Sequence, residues 1–358
     1  MSGPGLQHNP VRNEWLARRV EPACDPSQAI VDAHHHLYDR KGSRYLFEDM
    51  LADVRASGHN VVATVFVQCR GMVRADGPVE MKPVGETEFA NGVAAMSASG
   101  IYGDLRMCAG IVGAASLRLG DAVRPVLEAH VAAGGGGAPR GRFCGIRDTA
   151  AWDPDSMMVN PAYQTTKDML ASPDFRAGFA HLAPLGLSFD AWLLFHQIPF
   201  LTDLARAFPE TSIVLNHCGG IVGTGAYARR RADVFETWKR SLSELAKCPN
   251  VAVKLGGLGM RLSGFGFESL ELPPSSAELA AAWRPWVETC VEHFGFKRCM
   301  YESNFNVDKG SYSYGIGINA MKQIFADASK DEKDDVFWRS ATSFYRLGQV
   351  PALARLGR

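Results

Sequence analysis

Short apolar runs recur along this chain, separated by longer stretches in which apolar and polar residues alternate at helical spacing. The runs are Ala29 to His34, Val61 to Gln68, Arg106 to Val112, Phe143 to Arg147, Leu187 to Leu194, Ser212 to Asn216, Val251 to Leu255 and Cys299 to Ser303. Several are almost continuously apolar, as strands of a parallel sheet covered on both faces must be. Between them, Asp121 to Ala133, Arg229 to Leu245 and Ala277 to Phe294 place apolar side chains on one helical face; the last aligns Leu279, Trp283, Trp286, Val287 and Cys290. Strand and helix in alternation predict a closed barrel or an open doubly wound sheet.

Polar residues decide between the two. His34 and His36, Gln68, Arg147, His196, His217, Lys254 and Asn304 stand at or just past the ends of seven of these runs. In a barrel such residues share one mouth. A dinucleotide-binding sheet needs Gly-x-Gly-x-x-Gly after its first strand, where this chain has His34, His35 and His36. The expected fold is therefore a (β/α)₈ TIM barrel over residues 29–350, with an N-terminal extension over 1–28 and long βα loops. Arg70 to Glu88, Trp152 to Thr166 and Met260 to Pro274 read as top-side loops, and Gly134 to Gly137 as a bottom-side connection.

Composition narrows the class. Lys plus Arg and Asp plus Glu are both 38, so the net charge is zero and no basic stripe offers itself to nucleic acid. No apolar run approaches the roughly 18 residues that span a bilayer, and residues 1–22 lack a secretory apolar centre. The eight dispersed cysteines contain no Cys-x-x-Cys knuckle, which fits reduced thiols in a cytoplasmic protein. The expected partner is a small molecule, with neither nucleic acid nor membrane involved; pairing into a homodimer would be ordinary for such a barrel.

In Asp32-Ala33-His34-His35-His36 the strand period of two puts Asp32, His34 and His36 on one face, where two imidazoles can reach one cation. His196 and His217 follow apolar runs and could each be a further ligand, a general base or an oxyanion donor. Arg147, with Arg70, Arg74 and Arg261 in top-side loops, could hold a substrate carboxylate. Glu302 shares the face of Asn304 deeper in the barrel, where it is expected to neutralise Arg147 or Lys254. Gly219 to Gly225 lacks the Lys and Ser/Thr of a phosphate-binding loop, and no Gly-x-Ser-x-Gly elbow occurs.

Taken together, Asp32-x-His34-x-His36, Gly145-Ile146-Arg147, Phe189-Asp190-Ala191-Trp192 with His196, Leu215-Asn216-His217-Cys218-Gly219 and Met300 to Phe305 resemble the amidohydrolase-related lactonases. That group of TIM-barrel hydrolases includes sugar lactonases and 2-pyrone-4,6-dicarboxylate lactonase, and the resemblance runs from about Ile30 to Tyr345. It implies that His34, His36, His196, His217 and Asn304 form the catalytic set. Arg147, Gln68, Arg70, Glu302, Lys254 and Arg261 would then contact substrate. His34, His36 and His196 are the expected ligands of a divalent metal, zinc first. The group commonly has Gly-Ser-Asp on the last strand, with Asp as ligand and base; this chain has Glu302-Ser303-Asn304. An amide is a weaker ligand and no base, so the metal is expected to be weakly held or dispensable. The implied reaction is hydrolysis of a lactone or related cyclic ester. The rivals are non-oxidative decarboxylation of an aromatic or muconate-type acid, and a ligand-binding barrel whose chemistry has changed.

Overall fold

A computed structural model of the chain describes residues 8–136, 141–347 and 350–356. Eight parallel strands form one sheet in sequence order: β1 (Ala29–His35), β2 (Asn60–Val67), β3 (Arg106–Gly113), β4 (Phe143–Ile146), β5 (Ser188–Ala191), β6 (Ile213–Leu215), β7 (Val251–Leu255) and β8 (Cys299–Tyr301). The last strand meets the first just beyond its end. Asn304 N donates to His34 O (2.9 Å) and His36 N to Phe305 O (2.7 Å). This closes a (β/α)₈ barrel, the architecture expected from the alternation.

A helix follows each strand: α1 (Phe47–Ser57), α2 (Val84–Ala98), α3 (Arg124–Ala133), α4 (Pro173–Phe179), α5 (Ile198–Ala207), α6 (Arg231–Ala246), α7 (Ser276–Phe294) and α8 (Tyr314–Ile324). Their apolar faces meet the outer faces of the strands, and Trp238, Leu242, Leu279, Trp286 and Val287 are buried there. The start of α7 is fixed by a capping box between Ser275 and Glu278, as its sequence allows. No helix among the described residues is long and apolar enough to cross a membrane. All eight cysteines are free thiols.

Three expectations need adjustment. The fifth strand ends at Ala191 rather than Leu194, because Leu194 to Gln197 already turns into α5. Asp32 leaves the histidine face. The pairing of β1 with β2 shifts register between Asp32 and His35, and the Asp32 carboxylate accepts from Ser303 N (2.8 Å), Ser303 Oγ (2.6 Å) and Tyr314 OH (2.9 Å). It ties β1 to β8 and α8. The stretch read as a loop over Arg70 to Glu88 ends inside α2. Of the bottom-side connection, Gly137 lies outside the described residues, as do residues 1–7 of the extension.

The rest of the extension clasps the barrel. Trp15 Nε1 donates to Leu270 O (3.1 Å), Ser276 N to Glu21 Oε1 (2.9 Å) and Cys24 N to Asn319 Oδ1 (2.8 Å). Those contacts hold the loop after β7 against α7 and α8, and they bring His8 and Asn9 to the cavity wall.

Candidate active site

A cavity of about 390 Å³ opens at the C-terminal ends of the strands. His36, Arg147, Trp192, His217 and Asn304 line its depths, and Arg40, Arg70 and Arg261 lie among its remaining walls. No Asp or Glu among the described residues lines it.

The floor is a layer of buried histidines. His34 Nε2 lies 3.3 Å from His36 Nε2, and His36 Nδ1 donates to Val67 O at 2.7 Å. His217 is held by Glu302, whose Oε1 accepts both from His217 N (2.9 Å) and from its Nδ1–H (2.7 Å). Because a main-chain N–H can only donate, Oε1 is an acceptor here, so His217 carries its proton on Nδ1. That leaves the Nε2 lone pair for the cavity. Glu302 Oε2 lies 3.0 Å from His34 Nδ1 without an aligned hydrogen bond, and has no other partner among the described residues.

The backbone around His217 is built for this contact. His217, Cys218, Gly219 and Gly220 take φ of 56°, 50°, 81° and 65°, turning the chain sharply after β6. On the facing strand end, a Cβ on Gly257 would lie 2.4 Å from His217 Nδ1, so the imidazole sits where only glycine leaves room. Arg70 and Asn304, also on the cavity wall, share the left-handed conformation at φ 60° and 53°. Strained non-glycine backbone concentrates at functional sites.

Electrostatics keep the histidines neutral. Burial, then the Lys254 ammonium, holds His34 well below the ordinary imidazole range. Burial and then Arg147 do the same for His36. His217 is also lowered by burial, against the opposing pull of Glu302. Arg147 Nη1 approaches His34 Nε2 at 3.2 Å, and its Nη2 donates to Gln68 O. Lys254 Nζ is paired with Asp190 Oδ2 (2.6 Å) and reaches His34 Nδ1 at 3.3 Å. Tyr345 OH donates to Asp190 at 2.9 Å, closing the network from below.

The predicted residues therefore divide. His34, His36, His217, Arg147 and Asn304 converge on one centre, and Arg70 and Arg261 reach the cavity wall. His196 does not join them. Its Nε2 pairs with Asp153 Oδ2 (3.0 Å), which also accepts from Tyr227 OH (2.8 Å). With β5 ending early, Trp192 takes the wall position and His196 falls one turn outside it. Glu302 bridges two histidines rather than pairing with Arg147 or Lys254, and the Lys254 ammonium has Asp190 as its partner. Gln68, Glu302 and Lys254 are buried and do not line the cavity. Arg74 pairs with Glu88 at the surface.

Sequence reasoning missed Arg40, Trp192 and Asp308. Arg40 follows β1 in a small hairpin (Tyr38–Arg40 with Ser43–Tyr45), and its place in a top-side loop was the available signal. Asp308 accepts from Asn304 Nδ2 (2.8 Å), and burial pushes its carboxyl up to about 7.

A divalent cation has a donor set here, though not the expected one. His34, His217 and Glu302 bring one ligand atom each within 4.8 Å of one another. Two neutral imidazoles and a carboxylate oxygen lacking an aligned donor suit zinc. Arg147 and Lys254, both touching His34, oppose a further positive charge.

The amidohydrolase family model matches residues 31–347. An uncharacterised Sinorhizobium fredii protein, y4mH, is 32% identical over 341 residues, covering 89% of this chain and 99% of that one. An L-fucono-1,5-lactonase of Burkholderia ambifaria is 27% identical over 203 residues, 55% of this chain and 63% of the other. Among solved structures, a Burkholderia multivorans amidohydrolase with bound zinc superimposes with TM-score 0.67 at 20% identity, over 89% of this chain and 99% of that one. A putative 2-pyrone-4,6-dicarboxylic acid hydrolase from Pseudomonas putida gives TM-score 0.59 at 15% identity, over 89% and 98%. A 5-carboxyvanillate decarboxylase from Novosphingobium aromaticivorans, complexed with manganese, gives 0.54 at 11%, over 92% and 99%. The structural likenesses establish the barrel, and the match along nearly the whole sequence establishes descent: this chain belongs to the amidohydrolase family.

Proposed function

We propose that the protein opens a lactone bearing carboxylate or hydroxyl groups, with His217 as the base for the attacking water. The observation that carries this reading is the Glu302–His217 pair, which aims an unprotonated Nε2 into a cavity walled by four arginines and no carboxylate among the described residues. A lactone carbonyl between His217 and Arg147 would be attacked by the water whose proton passes to His217 Nε2. The Arg147 guanidinium, fixed by Gln68 O, would stabilise the oxygen that gains charge. The ring C–O bond then breaks and His217 returns the proton to the departing alkoxide. Arg40, Arg70 and Arg261 supply cationic walls for the carboxylate or hydroxyl groups. The L-fucono-1,5-lactonase relative supports this substrate class.

A cation on His34, His217 and Glu302 would supply Lewis-acid polarisation. His217 serving as a ligand would not be free to act as the base. Titrating zinc or manganese into metal-stripped protein separates the two regimes: activation favours the ligand role, inhibition the base role.

The test is a pH-stat assay on a lactone panel that includes L-fucono-1,5-lactone and 2-pyrone-4,6-dicarboxylate, with and without zinc or manganese. One acid equivalent should appear per turnover. Released CO₂ would instead favour the decarboxylase reading, which the same arginine wall suits. No turnover under any metal condition would sink both.

A further inference from the structure

We propose that Asp308 is the positioning residue for Asn304, binding its amide nitrogen so that its carbonyl oxygen faces the cavity. An asparagine side chain can be placed either way round, and the two placements do opposite chemistry: one offers an acceptor, the other two N–H donors. The surroundings of Asp308 remove that freedom.

Asp308 Oδ2 accepts from Gly259 N (2.8 Å) and Tyr312 OH (2.7 Å). Its Oδ1 accepts from Asn304 Nδ2 (2.8 Å). Gly259 N–H can only donate, which fixes Oδ2 as an acceptor; with Asp308 ionised, Oδ1 is an acceptor as well, so the Asn304 atom beside it is the NH₂. The packing there is tight: a Cβ on Gly259 would fall 2.9 Å from Asp308 Oδ2 and 2.5 Å from the Tyr312 ring. The main chain of Asn304 is pinned as well, since its N donates to His34 O (2.9 Å) and its O accepts from Asp308 N (3.2 Å). With backbone and Nδ2 both held, Oδ1 has one direction left. It is buried, has no hydrogen-bond partner among the described residues, and belongs to a residue on the cavity wall with His36 and His217. A buried carbonyl oxygen without a donor is costly, and a bound water or substrate hydroxyl would satisfy it. Asn304 thus keeps the acceptor half of a carboxylate without its charge.

Exchanging the two side chains tests this. In D308N the new amide must turn its oxygen to Gly259 N–H and its NH₂ toward Asn304, which forces Asn304 to flip or lose its bond. In the double variant N304D/D308N the amide now at position 308 donates its NH₂ to the carboxylate now at position 304, and an acceptor oxygen again faces the cavity. In protein labelled with ¹⁵N-asparagine, the Asn304 side-chain NH₂ should be protected from solvent exchange in the wild type and lose that protection in D308N. This arm is independent of the reaction. Equal exchange in both proteins overturns the proposal. The kinetic arm rests on the lactone reading: kcat should fall about tenfold or more in D308N and recover in the double variant. A merely structural Asp308 predicts a double variant no better than D308N, and that result also overturns the proposal. Should D308N fail to fold, recovery of folded protein in the double variant supports the pairing, and failure of both overturns it.

Discussion

His217 and His196 differ little in sequence and greatly in place. Each follows a short apolar run, and each has a buried carboxylate on one ring nitrogen, Glu302 at 2.7 Å and Asp153 at 3.0 Å. The carboxylates differ in what lies beyond them. Glu302 rises from the end of β8 inside the barrel, so the free nitrogen of His217 faces the cavity. Asp153 belongs to the loop after β4 and is shared with Tyr227, so His196 braces loops. An imidazole–carboxylate pair is thus common local chemistry, and strand length decides whether it reaches the reacting atoms.

The comparison breaks most sharply at the two rings. H217N should lower turnover about 10²- to 10⁴-fold, the range for losing a general base. H196N should change the barrier by less than about 0.5 kcal/mol, near twofold in rate. Similar losses in both, measured on one lactone, would erase the distinction. E302Q should cost about 10²-fold by leaving His217 misoriented, while D153N should cost stability without changing the pH–rate profile. R147K should follow with about a tenfold loss in kcat/KM, since an ammonium cannot reach both Gln68 O and the carbonyl. R40A and R261A should raise KM several-fold at nearly constant kcat, as lost ground-state contacts do.

Much of the fold was legible because eight buried strands leave eight apolar runs, and parallel strands leave little else in that pattern. The site was legible where a residue lies on a strand or directly at its end: His34, His36, Arg147 and His217. His196 lies outside it because β5 ends at Ala191, while the buried Leu193 and Leu194 continue the apolar run beyond the strand. Asp32 was misplaced because a register shift broke the period of two. The role of Glu302 was misread for another reason: its partner depends on which residues meet across the barrel, and Asp190 had already taken Lys254. Arg40 and Asp308 sit in the connections that follow β1 and β8, where spacing carries no directional signal.

A separate effect lies away from the cavity and sharpens the contrast with its histidines. His130 is buried between Thr87 Oγ1 (2.8 Å) and Ala114 O (3.0 Å), and burial lowers it from 6.5 to about 4. The unfolded chain takes up a proton that the native state refuses, so this contribution is intact above pH 6.5 and is lost as pH falls toward 4. The loss is on the order of 3 kcal/mol. H130Q should flatten that part of the stability–pH curve, as followed by urea denaturation.

The central claim is that Glu302 makes His217 the base. The most direct measurement is the pH dependence of kcat/KM for a lactone substrate in metal-stripped wild type and E302Q. The account predicts an acidic limb in the wild type, set by protonation of His217, that moves in E302Q together with a loss of about 10²-fold in rate. An acidic limb that stays in place, with turnover near the wild-type value, would contradict it.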